Sequence, residues 1–173
     1  STAIAVEELS HIGAEVFIRI GTSGSVDKSA KKGDIFIATA AVRDDGTSKQ
    51  YIPIEFPAIA SHNVVSSLIK ASKNLNIDSK VGICQSKDSF FGETEPERMP
   101  VAPYLDFKWK SWQQGGVGAS EMEAATLFTL SQIKRLEAGA ILAIETSDKE
   151  TIKKMTEIVL ESITYMEREK NVS

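Results

Sequence analysis

Apolar residues along the chain recur with two different spacings. Val16, Ile18 and Ile20 alternate with Phe17, Arg19 and Gly21, a period of two that sends successive side chains to opposite faces, so residues 15 to 21 are expected to form a strand. The run GDIFIATAAVR predicts a second strand, opened by a turn at Gly33 and Asp34, and KVGICQS and GAILAI predict two more. Val64, Leu68, Ala71 and Leu75 instead recur at the spacing of one helix face. Ala5, Leu9 and Ile12 do the same between a Ser1-Thr2 cap and Gly13, and Ile152, Met155, Val159 and Met166 form a third such stripe near the end. VGAS reads as a short strand leading into a long helix from Glu121 to Leu136. Two stretches show neither period. Residues 45–61, with two prolines, read as a short extended excursion, and KDSFFGETEPERMPVAPY reads as a long surface loop before a short helix near Phe107 to Gln114. Strands alternating with helices predict an α/β protein, a three-layer α/β/α sandwich with a central mixed sheet. With no repeat, low-complexity tract or linker, residues 1–173 are expected to form a single domain.

Polar residues inside this apolar pattern point to chemistry. Arg19 interrupts a strand, and a guanidinium removed from water needs an anion beside it because it does not lose its proton. Immediately afterwards GTSGS predicts a tight loop in which Gly21 and Gly24 bend the chain and Thr22, Ser23 and Ser25 offer hydroxyl donors, a cradle for an oxyanion. A salt bridge from Arg19 to a nearby Asp or Glu, followed by an ordinary turn, accounts for the same residues. In GASEMEAATLF, Ser120 and Glu123 have the spacing of a capping box, each side chain accepting from the other residue's N–H. That leaves Glu121 and Met122 unexplained. Two carboxylates beside a helix start also suit the vicinal hydroxyls of a sugar, accepting hydrogen bonds that strengthen as positive charge develops on the ring.

Composition narrows the partners. A hydrophobic content of 42% is that of an ordinary globular chain, and 20 basic against 24 acidic residues, net −4, include no basic stripe that would track a nucleic-acid backbone. Cys84 is the single cysteine, so it has no internal disulfide partner and no Cys/His cluster to join, which fits a reducing cytoplasm. No apolar run is long enough for a membrane span, and the first residues lack the charged and apolar regions of a signal peptide. His11 and His62 lie at helix ends, positions of capping or surface residues. The chain begins at an element boundary without an initiator methionine, as part of a longer protein would.

Taken together and in order, FIRIGTSG, AAVRDDGTS, PIEFPA, KDSFFG and SEMEAATLFTL resemble the uridine phosphorylases of the nucleoside phosphorylase-I family. The resemblance runs from Ser1 to about Tyr165; the E-M-E-A segment is shared with the purine branch, whereas PIEFPA is closer to the uridine branch. It implies a nucleoside phosphorylase-like sandwich and reversible phosphorolysis, in which orthophosphate, a co-substrate and no cofactor, attacks C1′ of uridine with inversion to give uracil and ribose 1-phosphate. By motif match, Arg19 and Thr22 hold phosphate, Met122 and Glu123 contact the ribose, Glu121 flanks the same pocket and Phe90 packs on the nucleoside. Arg19 and Glu123 are thus the expected catalytic residues. The resemblance also implies no metal and a homo-oligomer built from dimers. Three departures stand out. Family chains carry a further N-terminal portion that completes the phosphate site, so this chain is expected to be truncated and a poor catalyst by itself; a noncatalytic nucleoside-binding or assembly fragment is the rival reading. Where the family places a uracil-reading glutamine, FFG is followed by Glu93, which accepts from N3–H without donating, and Arg98 is the donor expected beside it. Ser147-Asp148 is similar to the base-protonating segment of the purine branch, which keeps a purine nucleoside phosphorylase as the alternative, although Ser147 and Glu150 again have the capping spacing.

Overall fold

The computed structural model describes residues 1–170. Strand β1 (Val16–Ser25) lies parallel to β6 (Glu137–Ile144), and β2 (Ile35–Asp44) lies parallel to β4 (Lys80–Lys87). The short β5 (Ala119–Glu121) joins the two pairs, parallel to β4 and antiparallel to β1, while β3 (Ala58–Ile59) adds antiparallel to β2. The order is β3-β2-β4-β5-β1-β6, a mixed sheet. Because β2 also pairs antiparallel with β6, the five strands β2-β4-β5-β1-β6 close on themselves.

Both faces of the central strands are buried, which is why β6 reads as a continuous apolar run. Phe36 and Ala38 of β2, with Ala140, Leu142 and Ile144 of β6, pack with α1 (Thr2–His11) and α5 (Ala124–Lys134) through Val6, Leu127 and Phe128. Their sequence neighbours Ile35, Ile37, Ile141 and Ala143 pack on the other side with α2 (His62–Asn74) and α6 (Lys149–Lys170) through Leu68, Met155 and Ile158. A period of two in the strands thus meets the helical stripes of both layers, each fully buried Leu, Ile or Phe side chain contributing about 1.5–3 kcal/mol. Gly139 allows the close approach of α2, since a Cβ there would lie 2.5 Å from Val64 Cγ1.

The structure corrects three local expectations. The segment GTSGS is the end of β1, with Gly24 opposite Ser120 and Ser25 opposite Ala119, so pairing with β5 holds extended what its composition presents as a turn. Residues 87–104 are not a loop: α3 (Phe90–Thr94) starts where Ser89 Oγ accepts from Gly92 N at 2.9 Å, a 3₁₀ turn covers Pro96–Arg98, and α4 (Ala102–Gln114) follows with Pro103 in its first turn. No residue of α4 is buried, so no apolar stripe marks it. Helix α5 begins at Ala124, not Glu121, because Glu121 belongs to β5. The run AAVRDDGTS serves as scaffold: Arg43 is buried and donates to Ser48 Oγ at 3.0 Å and to the carbonyls of Ser48 and Ile52, both at 2.9 Å, while Asp45 accepts from Ser48 N at 2.6 Å and Thr126 Oγ1 at 2.9 Å. These bonds pin the excursion after β2 to α5.

Candidate active site

A cavity of about 620 Å³ opens between the ends of β1, β4 and β5, with α3, Trp109 of α4 and the turn after β6 on its remaining sides. It brings together Arg19, Thr22, Phe90, Glu93, Glu121, Met122 and Glu123, residues from three separate stretches of chain. Arg98 does not reach it. That side chain is exposed, pairs with Glu95 and lies with its guanidinium carbon 5.8 Å from the Phe91 ring centroid, because the 3₁₀ turn points it away from the site.

The anions that Arg19 requires are present in the chain itself. Arg19 Nε donates to Glu121 Oε2 at 2.9 Å and Nη2 donates to Glu123 Oε2, while Nη1 has no acceptor among the described residues. Glu121 is buried with its oxygens fully engaged, accepting also from Ser86 Oγ, Glu123 N at 2.8 Å and Ala124 N at 2.9 Å. It therefore orients Arg19 and caps α5 with one carboxylate while lining the same cavity. Glu123 differs, with 39% of its side chain exposed to the cavity. Burial raises its pKa above the ordinary carboxylate value, Arg19 draws it down, and the charge of Glu121 pushes it up again.

Gly21 is what permits this arrangement. A Cβ at that position would fall 1.9 Å from Arg19 Nη1, because the guanidinium folds back over the bare backbone. Gly21→Ala is expected to expel the guanidinium from both carboxylates and to cost about 1–3 kcal/mol in urea unfolding, as other overpacking changes do. An unchanged unfolding midpoint together with unchanged activity would show that Arg19 has another place to lie.

The capping box between Ser120 and Glu123 does not form. Ser120 is buried and its hydroxyl lies 2.6 Å from Gln85 Oε1, contacts Glu93 Oε2 and accepts from Lys87 Nζ at 2.7 Å, so long-range partners displace the local one. Lys87 also pairs with Glu93 Oε2 at 2.7 Å. A lysine near the end of an apolar strand raises the same question as Arg19, so Lys87 carries a signal in the sequence, whereas Trp109, on a helix without an apolar stripe, carries none. Asp148, not the Ser147 and Glu150 pair, caps α6: it accepts from Thr151 N at 2.9 Å, Thr151 Oγ1 at 2.8 Å and Thr146 Oγ1 at 2.7 Å. Those hydrogen bonds, that from the Thr151 backbone first, hold its carboxyl below the usual range. Ser23 lines the cavity with its buried hydroxyl unpartnered among the described residues. Among those residues no His/Cys/Asp/Glu group could hold a metal, and no helix is long and apolar enough to cross a membrane.

Residues 1–170 match the family model described as the phosphorylase superfamily. A uridine phosphorylase of Treponema pallidum is 44% identical over 144 residues, 83% of this chain and 56% of that protein. A second, from Thermococcus kodakarensis, is also 44% identical, over 83% of this chain and 53% of its own length. A guanosine phosphorylase of Halorubrum lacusprofundi is 38% identical, over 84% of this chain and 56% of its own length. Among solved structures, the P knowlesi homolog of P falciparum PNP superposes with a TM-score of 0.84 at 30% identity, covering 98% of this chain and 69% of that one. The chain spans just over half the length of the curated relatives it matches.

Proposed function

The chain belongs to the phosphorylase superfamily, and we propose that its cavity serves the phosphorolysis of a pyrimidine ribonucleoside, uridine and phosphate giving uracil and ribose 1-phosphate. The observation that carries the reading is the convergence of Arg19, Thr22, Met122 and Glu123 on one cavity beside Phe90, together with uridine phosphorylases among the relatives. Arg19 Nη1 and the Thr22 hydroxyl face incoming phosphate, with Glu121 holding the guanidinium by Nε. Glu123 accepts from the ribose hydroxyls, Met122 packs on the sugar and Phe90, 55% exposed, closes over the nucleoside. As the C1′–N bond breaks, positive charge spreads over the sugar ring, and the carboxylate on one side and phosphate on the other stabilise it before the C1′–O bond forms. No resident cofactor is needed. A homo-oligomer built from dimers and a reducing, cytoplasmic setting for Cys84 complete the proposal.

The test is phosphate-dependent release of uracil from uridine, by this chain and by a fusion carrying the N-terminal portion of a full-length uridine phosphorylase. Ribose 1-phosphate is the expected co-product; uracil release that ignores phosphate, or none from either form, overturns the reading. Glu123→Gln is expected to lower turnover by about 10²-fold, the low end for loss of one transition-state contact. In the unsubstituted protein the rate should rise with pH through the elevated Glu123 pKa, and the variant should lose that limb. Stability has the opposite sign: with a raised folded pKa, the contribution of Glu123 is full below its unfolded pKa and declines as pH rises through the folded one. A Glu123→Gln enzyme with unchanged turnover and pH profile would remove the residue from the reaction.

A further inference from the structure

We infer that a separate cavity, between the start of β4 and the end of α4, binds a nucleoside diphosphate. It holds about 910 Å³, within the roughly 300–1,000 Å³ of ligand sites, and none of its lining residues lines the candidate active site. Lys28 comes from the turn after β1, Lys80 from the first position of β4, and Lys110 with Gln113 and Gln114 from the last turns of α4. Phe36 and Val81 supply an apolar wall. The Phe36 ring reaches that wall because Gly82 and Gly118 are bare: a Cβ at Gly82 would lie 3.3 Å from the ring's Cζ, and one at Gly118 would lie 2.4 Å from Cε2. Val81 is 45% exposed, an open surface for the face of a flat ring.

The polar groups of this cavity are mostly unspent donors. Lys80 Nζ donates to Asp34 Oδ2 at 3.0 Å and to the Ser29 carbonyl at 3.5 Å, and Lys110 Nζ donates to Asp106 Oδ2 at 2.6 Å, so each ammonium keeps at least one proton free. Lys28, Gln113 and Gln114 have no side-chain partner among the described residues. The carboxylate in the lining, Asp27, is already engaged: Oδ1 accepts from Ser29 N and Oδ2 from Ser29 Oγ, both at 2.8 Å. Three cations held by three separate elements around one concavity repel one another until an anion lies among them. A diphosphate has the charge and the spread of acceptor oxygens to meet all three, where a single phosphate reaches fewer. Gln113 and Gln114 each offer a carbonyl and an NH₂, the functions that hydrogen-bond a ring bearing both donors and acceptors. Cations for the phosphates, amides for the ring's polar atoms and an apolar wall for its face together specify a nucleoside diphosphate, a demand that neither pyrophosphate nor a nucleoside meets alone.

Calorimetric titration of the chain with ADP, inorganic pyrophosphate and adenosine is expected to show saturable binding of ADP, about 10-fold tighter than either of the others. In amide NMR spectra the signals of Gly116 and Gly118, which line this cavity, should move with ADP while those of Thr22 and Met122 in the candidate active site stay in place. Lys28→Gln combined with Lys110→Gln removes two exposed charges and opens no cavity in the core, so the urea midpoint should hold while ADP affinity falls about 10-fold. The corresponding pair of arginine substitutions keeps both charges and should keep the binding. Four results would each overturn the inference: no saturable binding of ADP, affinity for pyrophosphate or adenosine equal to that for ADP, shifts confined to Thr22 and Met122, or unchanged ADP affinity in the folded glutamine double variant. None of these outcomes bears on phosphorolysis, which is read from uracil release.

Discussion

Arg19→Ala is expected to reduce kcat/KM for phosphate by about 10²–10³, with a smaller effect on nucleoside affinity. Three consequences of the substitution act in the same direction. The Nη1 donor disappears from the cavity, Thr22 and the β1 backbone lose the neighbouring positive charge, and Glu121 and Glu123 are left facing one another without the cation between them. Because Arg19 is the group that draws the Glu123 pKa down, its loss should raise that pKa further and shift the rise of the rate with pH to higher pH. Arg19→Lys keeps a charge but not the fork that spans both glutamates, and should recover only part of the loss. The measurement is the phosphate dependence of uracil release across pH. A variant with the phosphate KM, kcat and pH profile of the unsubstituted protein would mean that Arg19 only ties β1 to the start of α5.

Glu121→Ala is expected to be the most destabilising single change in the site, at about 3–5 kcal/mol, the cost of removing one member of a buried ion pair. Its carboxylate joins β1, β4 and α5 through Arg19 Nε, Ser86 Oγ and the N–H groups of Glu123 and Ala124. Deletion would leave two helix-start N–H groups and a hydroxyl without their acceptor inside the protein, and would release the guanidinium from one of its two anchors. Glu121→Gln retains an oxygen for the N–H groups and should lose less, so the order in urea unfolding is expected to be Glu121, then Gln, then Ala. Equal stability of all three would show that water replaces the carboxylate and that Arg19 is held by Glu123 alone.

Much of the fold was legible because burial on two faces leaves a simple trace. Ile35 and Ile37 against Phe36 and Ala38 alternate in sequence and lie in opposite layers of the structure, and the stripes of α2 and α6 meet the same strands. Helix α4 was expected only from near Phe107, its first turns leaving no apolar stripe since none of its residues is buried, and the end of β1 was obscured because glycine and serine are turn residues wherever no neighbouring strand pairs with them. Local spacing rules failed where distant groups competed. Ser120 and Glu123 have the capping spacing, yet the Ser120 hydroxyl is engaged by Gln85, Lys87 and Glu93, and Glu121 supplies the cap instead.

From the sequence alone it followed that Arg19 needs an anion, since a guanidinium in an apolar strand cannot shed its charge. Only the tertiary structure decided which anions meet it. Glu121 and Glu123 lie 102 and 104 positions away along the chain, and no spacing rule reaches that far. The same holds for Lys87 and Glu93: their residue types state what each can donate or accept, but the short distance between them depends on how α3 folds back over the ends of β1 and β4. Hydrogen-bonding capacity is a property of the residue, whereas its satisfaction is a property of the packing around it.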